Sequence, residues 1–168
     1  MIRNICYITY QTFPANTANS LQTISNIKYF VKNDCIVSLI YPLREKNSSD
    51  SIQEIHDFYN ISEPINIKAI KHNYPFGKIK LFKRFIFHIS HFLWAKKTVK
   101  NLDTALFDFY ITRSDWLLYF LLKTTNKTVV FECHKNSKLR KIILHSCLKK
   151  PNAKIIYLIE NLKNLYKK

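Results

Sequence analysis

Glu132 and His134 are the pair whose types and spacing could do chemistry. They close the run Thr128-Val129-Val130-Phe131-Glu132-Cys133-His134. On a strand, alternate side chains share a face, so both would point the same way. At the carboxyl end of a parallel strand they would look into the crevice where open α/β sheets take their ligands. A carboxylate and an imidazole there could act together on a bound hydroxyl group. The same spacing also describes ordinary polar groups at a strand end. Arg113 follows Tyr110-Ile111-Thr112 and would reach the same edge. It could hold a phosphate or carboxylate in bidentate fashion, or pair with Asp115 or Glu132. The loop Gln11-Thr12-Phe13-Pro14-Ala15-Asn16-Thr17, with Asn19 just beyond it, offers amides and hydroxyls. Such groups suit a sugar or another polyhydroxylated ligand, and equally a polar surface loop.

The elements that would position these residues alternate along the whole chain. Asn4–Tyr10 reads as a buried first strand. Ala18, Leu21, Ile24, Ile27 and Val31 recur at helical spacing. Thr17 or Asn19 could cap that helix, with Gln22 placed for a capping-box contact from Asn19. Cys35–Tyr41 is a second buried strand, closed by Pro42. Strand, helix and strand at this spacing make a parallel βαβ unit. Ser51–Tyr59 is a short helix capped by Asp50 or Ser49. Ile65–Ile70 is a third strand, and Lys78–Leu102 a long, basic, aromatic helix. Phe107–Thr112, Thr128–Cys133 and Ala153–Ile159 complete six strands. Helices occupy Ser114–Lys123, Ser137–Lys149 and Glu160–Lys168, the first capped by Ser114. The expected fold is α/β, a Rossmann-like, doubly wound, mostly parallel sheet of about six strands with helices on both faces.

Composition narrows the function classes. The chain has 168 residues, 47% of them hydrophobic, enough for one domain with a core, residues 1–168. No run reaches the roughly 18 apolar residues of a spanning helix, and the amino terminus lacks a signal-peptide pattern, so a cytoplasmic protein is expected. Cys6, Cys35, Cys133 and Cys147 show no CxxC pairing and read as buried free thiols rather than disulfides or metal ligands. His88 and His91 could share a helix face, but no third ligand matches them, so no metal is expected. His56, His72 and His145 read as surface histidines. The first loop has no glycine, which argues against nicotinamide, flavin or Walker-type phosphate binding. No cofactor is expected.

The formal net charge is +16, but only five of the 27 basic residues are Arg. Abundant Lys, Asn and Ile with a single Gly fit an A+T-biased coding sequence, so the charge partly reflects codon supply. It still creates a field that attracts phosphates or anionic lipid headgroups. Lys78–Leu102 interleaves that charge with Phe and Trp, as do segments that lie on anionic membranes, though core packing with a solvated basic end explains the pattern too.

Taken in order, the strand ICYITY, the loop and helix PANTANSLQTISNIKYF, the strand IVSLIYP, the strand FDFYITR and the strand VVFECH followed by NSKLRK resemble a known family. The chain is similar over essentially its whole length to the amino-terminal domain of GT-B glycosyltransferases. The resemblance is to the large retaining group, family 4, that includes sucrose-synthase-like and mannosyl-transferring enzymes. It implies sugar transfer from a nucleotide-sugar to a cell-surface polysaccharide or lipid-linked acceptor, without a metal. It places Asn16, Thr17 and Asn19 at the border of the cleft, with Arg113, Glu132 and His134 near the transferred sugar. His134 and Glu132 would then be the catalytic candidates, and Asn16, Thr17, Asn19 and Arg113 the substrate-binding ones. The family's donor-binding second domain, with its glutamate pair, has no counterpart in these residues. The expectation is therefore a truncated or split enzyme, inactive alone, cytoplasmic and peripheral at the inner face of the cell membrane. The competing expectation is a stand-alone basic α/β module that binds nucleic acid or another anion. No nucleic-acid motif is present, and Arg is scarce.

Overall fold

The structure is a computed structural model that describes residues 2–76, 82–135 and 137–166. Six strands form one sheet: β1 (Arg3–Ile8), β2 (Cys35–Leu43), β3 (Asn66–Lys71), β4 (Phe109–Thr112), β5 (Thr128–Cys133) and β6 (Ala153–Tyr157). Every pairing is parallel, and the order is β3-β2-β1-β4-β5-β6. The helices are α1 (Ala18–Lys32), α2 (Ile52–Tyr59), α3 (Lys83–Lys100), α4 (Asp115–Thr124), α5 (Lys138–Cys147) and α6 (Glu160–Tyr166). The α/β doubly wound expectation describes this sheet, and all six strands fall where the patterning puts them.

Alternation along the strands builds two cores. Ile5 and Tyr7 of β1 join Val37, Leu39 and Tyr41 of β2 beneath Ile24 and Ile27 of α1 and Ile55 of α2. Cys6 and Ile8 look the other way, with Tyr110, Val129 and Phe131, onto α3, α4 and α5. A parallel sheet must be covered on both sides, since its βαβ crossovers place helices there. The four cysteines are free, and all but Cys35 are buried.

Local chemistry corrects several expected boundaries. Pro42 does not close β2, which runs on to Leu43 with Pro42 opposite Ile70 of β3. Ile40 C=O accepts from Thr9 on the β1 side. Pro42, two residues on, turns its missing N–H to that same side, beyond the end of β1. Helix α1 is capped by Thr17 through a box with Ser20, not by Asn19 with Gln22. Helix α2 starts one residue later than its expected caps, so Ser51 fills the role and accepts from Glu54 N at 3.2 Å. Ser114 caps α4 as its position predicts, accepting from Leu117 N at 3.1 Å. The long basic helix covers Lys83–Lys100, and the expected first turn, residues 78–81, lies outside the described residues. His72 is buried, not at the surface, because Tyr10 Oη meets its Nε2 at 2.7 Å.

Candidate functional site at the carboxyl edge of the sheet

The strand order reverses between β1 and β4, and a crevice must open there because their connections leave to opposite faces. Two segments border it: the loop after β1, leading into α1, and Arg113-Ser114, between β4 and α4. Glu132 enters from β5. Its side chain stands on the α1 side of the sheet, the side of Tyr7 and Ile111.

Three donors converge on the Glu132 carboxylate. Arg113 Nε donates to Oε2 at 2.5 Å, Tyr7 Oη to Oε2 at 2.8 Å, and Asn26 Nδ2 to Oε1 at 2.9 Å. Arg113 Nη1 also donates to the Asn19 carbonyl at 2.8 Å. One buried ion pair thus ties β4 and β5 to each other, to β1, and to the first turns of α1. Both side chains are nearly covered, with exposures of 7% for Arg113 and 10% for Glu132. Burial and the adjacent carboxylate push the Tyr7 hydroxyl well above the usual phenol range, so it stays a donor.

His134 follows two residues later on the same side. Its Nε2 lies 3.6 Å from Glu132 Oε2, beyond hydrogen-bond range. Burial lowers its pKa, the Arg113 charge lowers it further, and Glu132 opposes both. The ring is therefore neutral near pH 7. Among the described residues six buried side-chain polar atoms lack a hydrogen-bond partner, and two of the six, His134 Nε2 and Arg113 Nη2, lie at this site. Unpaired buried polar atoms are costly and uncommon, and two of them here flank one carboxylate.

The first loop contributes differently. Asn16, Thr17 and Asn19 are exposed. Thr17 Oγ1 is occupied by the cap, and Asn19 meets Arg113 through its main chain. Ser20 donates to the Ala15 carbonyl. Thr23 Oγ1 donates to the Asn19 carbonyl at 2.9 Å and lies 3.3 Å from Gln11 Oε1. The structure therefore brings Arg113, Glu132 and His134 together. Of the loop residues Asn16, Thr17 and Asn19, only Asn19 is shown in contact with them, while Thr17 caps α1 and Ala15, next to Asn16, bonds to Tyr59 of α2. Tyr7 and Asn26 were not singled out by sequence. Asn26 shares the inner side of α1 with the buried Thr23, a polar break in an apolar stripe that could have marked it. Leu21, placed by periodicity on that stripe, is 48% exposed.

On the opposite face, Ser114 Oγ and His91 Nε2 meet at 2.5 Å, and the Tyr10 ring stacks on His91 at 4.1 Å. Burial drives His91 down to a pKa of about 3, assisted by the charges of His88, Arg44, Arg140 and His72. His91 is thus a neutral partner of the α4 cap, while His88 lies partly exposed one turn earlier. Among the described residues, no three His, Cys, Asp or Glu side chains stand together as a metal site would require. No described helix is long and apolar enough to cross a membrane.

No protein-family model matches this chain, and no curated protein matches it either.

Proposed function

We propose that this chain is the acceptor-side half of a retaining GT-B glycosyltransferase. Its substrates would be a nucleotide-sugar, held by a second domain, and a cell-surface glycan or lipid-linked acceptor. The observation that carries the reading is the buried, charge-balanced polar cluster at the switch point. Arg113 and Glu132 cancel, His134 is neutral, and two hydrogen-bonding atoms are left without partners. A balanced cluster of this kind suits a neutral, hydroxyl-rich ligand better than a free phosphate, which would need uncancelled positive charge. The glycine-free first loop agrees, since its main chain is not built for close approach of a pyrophosphate.

Within this reading the residues divide by what their atoms have free. The His134 ring, 13% exposed at the crevice, contacts a sugar hydroxyl and helps stabilise the positive charge that develops at the sugar's anomeric carbon. Glu132 has both oxygens engaged, so it positions Arg113 and keeps His134 in place. Arg113 fixes the first turn of α1, and Asn16, Thr17 and Asn19 edge the entrance. Saturation-transfer NMR with a panel of oligosaccharides, sugar phosphates and nucleotide-sugars tests the reading. Saturable sugar signals are expected from the wild type and not from His134→Ala, whose melting temperature should stay close to wild type. Absence of sugar binding, or equal binding by His134→Ala, would refute it.

A further inference from the structure

The amino-terminal half of α3 is apolar where it should be polar. Phe82 is 73% exposed, Phe85 67%, Ile89 38% and Leu93 38%. Phe85, Ile89 and Leu93 recur every four residues in one continuous stripe along the helix, and Phe82, at the N-cap, lines a recess with Phe85 at its start. A second stripe, with Ser90, His91, Trp94, Ala95, Thr98 and Val99, is buried on the sheet. The exposed stripe is therefore not what holds α3 in place. Phe92 and Trp116 meet edge to face at 4.9 Å beside it, and with Phe85, His88, Ile89 and Leu93 they line a shallow apolar recess. Scattered exposed apolar residues need no explanation, but a contiguous set does.

The charge around this stripe has one sign. Lys83 and Arg84 are exposed at its start, and Lys96 and Lys100 follow at its far end. Between Glu63 and Asp103 the sequence holds nine Lys or Arg and no acid. Helix α5, on the same side of the sheet as α3, also carries no acid. Asp115, between them, is paired with Arg140 at 2.6 Å. Because α3 follows β3, its first turn lies at the carboxyl edge of the sheet, the edge on which the crevice opens.

We propose that this half of α3 docks the protein on an anionic lipid bilayer. Phe82, Phe85, Ile89 and Leu93 enter the boundary between headgroups and acyl chains, while Lys83 and Arg84 meet lipid phosphates. Charge complementarity selects this occupant. A two-fold dimer through the same patch would set its cations against their own copies. Nucleic acid matches the cations but offers nothing for Ile89 and Leu93 to bury against. Docking there brings the crevice edge to the membrane plane. The inference does not rest on the sugar-transfer reading, and its test contains no sugar, so either can fail alone.

Vesicle co-sedimentation of the full chain, with Trp116 emission as a second readout, decides it. Vesicles of phosphatidylcholine alone are compared with vesicles containing phosphatidylglycerol. Binding is expected only with phosphatidylglycerol and should weaken as salt rises. The variants Phe82→Ser/Phe85→Ser and Lys83→Glu/Arg84→Glu should each lower binding by roughly tenfold or more while keeping the wild-type circular dichroism. Four outcomes would overturn the proposal: equal binding to both vesicles, no binding to either, variants that bind like wild type, or preference for duplex DNA over the anionic vesicles. A dimer abolished by Phe82→Ser/Phe85→Ser, without vesicle binding, would also overturn it and assign the stripe to a second copy.

Discussion

Helix α1 buries Ser20 and Thr23 in its first two turns, whereas helix α3 exposes Phe85, Ile89 and Leu93 over its first three. A helix built only to cover a sheet would do the reverse in both places. The rest of each helix is ordinary. Ile24 and Ile27 pack α1 onto the sheet, and Trp94, Ala95 and Val99 do the same for α3. Both departures sit at the carboxyl edge, one in the crevice and one beside it. In α1 each buried polar group has a partner: Ser20 bonds to Ala15 and Thr17, and Thr23 to the Asn19 carbonyl, which also accepts from Arg113. In α3 the exposed apolar groups edge an open recess that they share with Phe92 and Trp116. The difference separates two kinds of demand: an organised polar interior for a ligand, and an unsatisfied apolar exterior for a surface.

Substitutions at the two helices should separate these demands by size. The largest effect is expected at Glu132. Glu132→Ala leaves the Arg113 charge buried and unpaired and strips Tyr7 and Asn26 of their acceptor. It should cost about 3–5 kcal/mol in urea denaturation. A cost below about 1 kcal/mol would mean that the cluster is solvated and that α1 is not held by it.

Acid should come next, acting on the α3 side. An unfolded histidine titrates near 6.5, and His91 in the fold at about 3. Between these values the unfolded chain holds the extra proton, so this stability is complete above about pH 6.5 and is lost as pH falls. The slope from His91 alone approaches about 1.4 kcal/mol per pH unit. Denaturation curves at pH 7, 6 and 5 should show the loss, and His91→Gln should flatten the profile. An unchanged profile would place the titration elsewhere.

The cap of α1 is a smaller lever. Thr17→Ala should cost about 1 kcal/mol, since Ser20 N and Ser20 Oγ both lose the Thr17 hydroxyl. Smallest of all in stability is the double change Phe82→Ser/Phe85→Ser, expected within about 0.5 kcal/mol of wild type. A large loss there would show that the stripe packs against the protein's own core.

The sequence made the strands and most helices legible because alternation and helical spacing are local signals. Thr128–Cys133 and Ser114 stand where their residue types place them. Strand order was not legible, since nothing in the chain near β1 says that β4, about a hundred residues away, is its neighbour. Arg113 was readable as a partner of Glu132, but the other two were hidden for the same reason: Tyr7 lies 125 residues away and Asn26 lies 106. His72 was misplaced because its partner Tyr10 is brought to it by the β1–β2–β3 stack and not by sequence proximity. The glycine-free loop, in contrast, was informative by itself, because the main-chain freedom it lacks is a property of residue type.

The central claim is that the Arg113–Glu132–His134 cluster is a binding site for a hydroxylated ligand and not only a clasp between α1 and the sheet. Sugar titration of the wild type and His134→Ala, each matched to its own melting curve, tests this most directly. The account predicts saturable binding by the wild type, lost in His134→Ala at an unchanged melting temperature. Equal affinities in the two proteins, or a His134→Ala chain that loses its fold along with its ligand, would contradict it and leave the cluster a structural clasp.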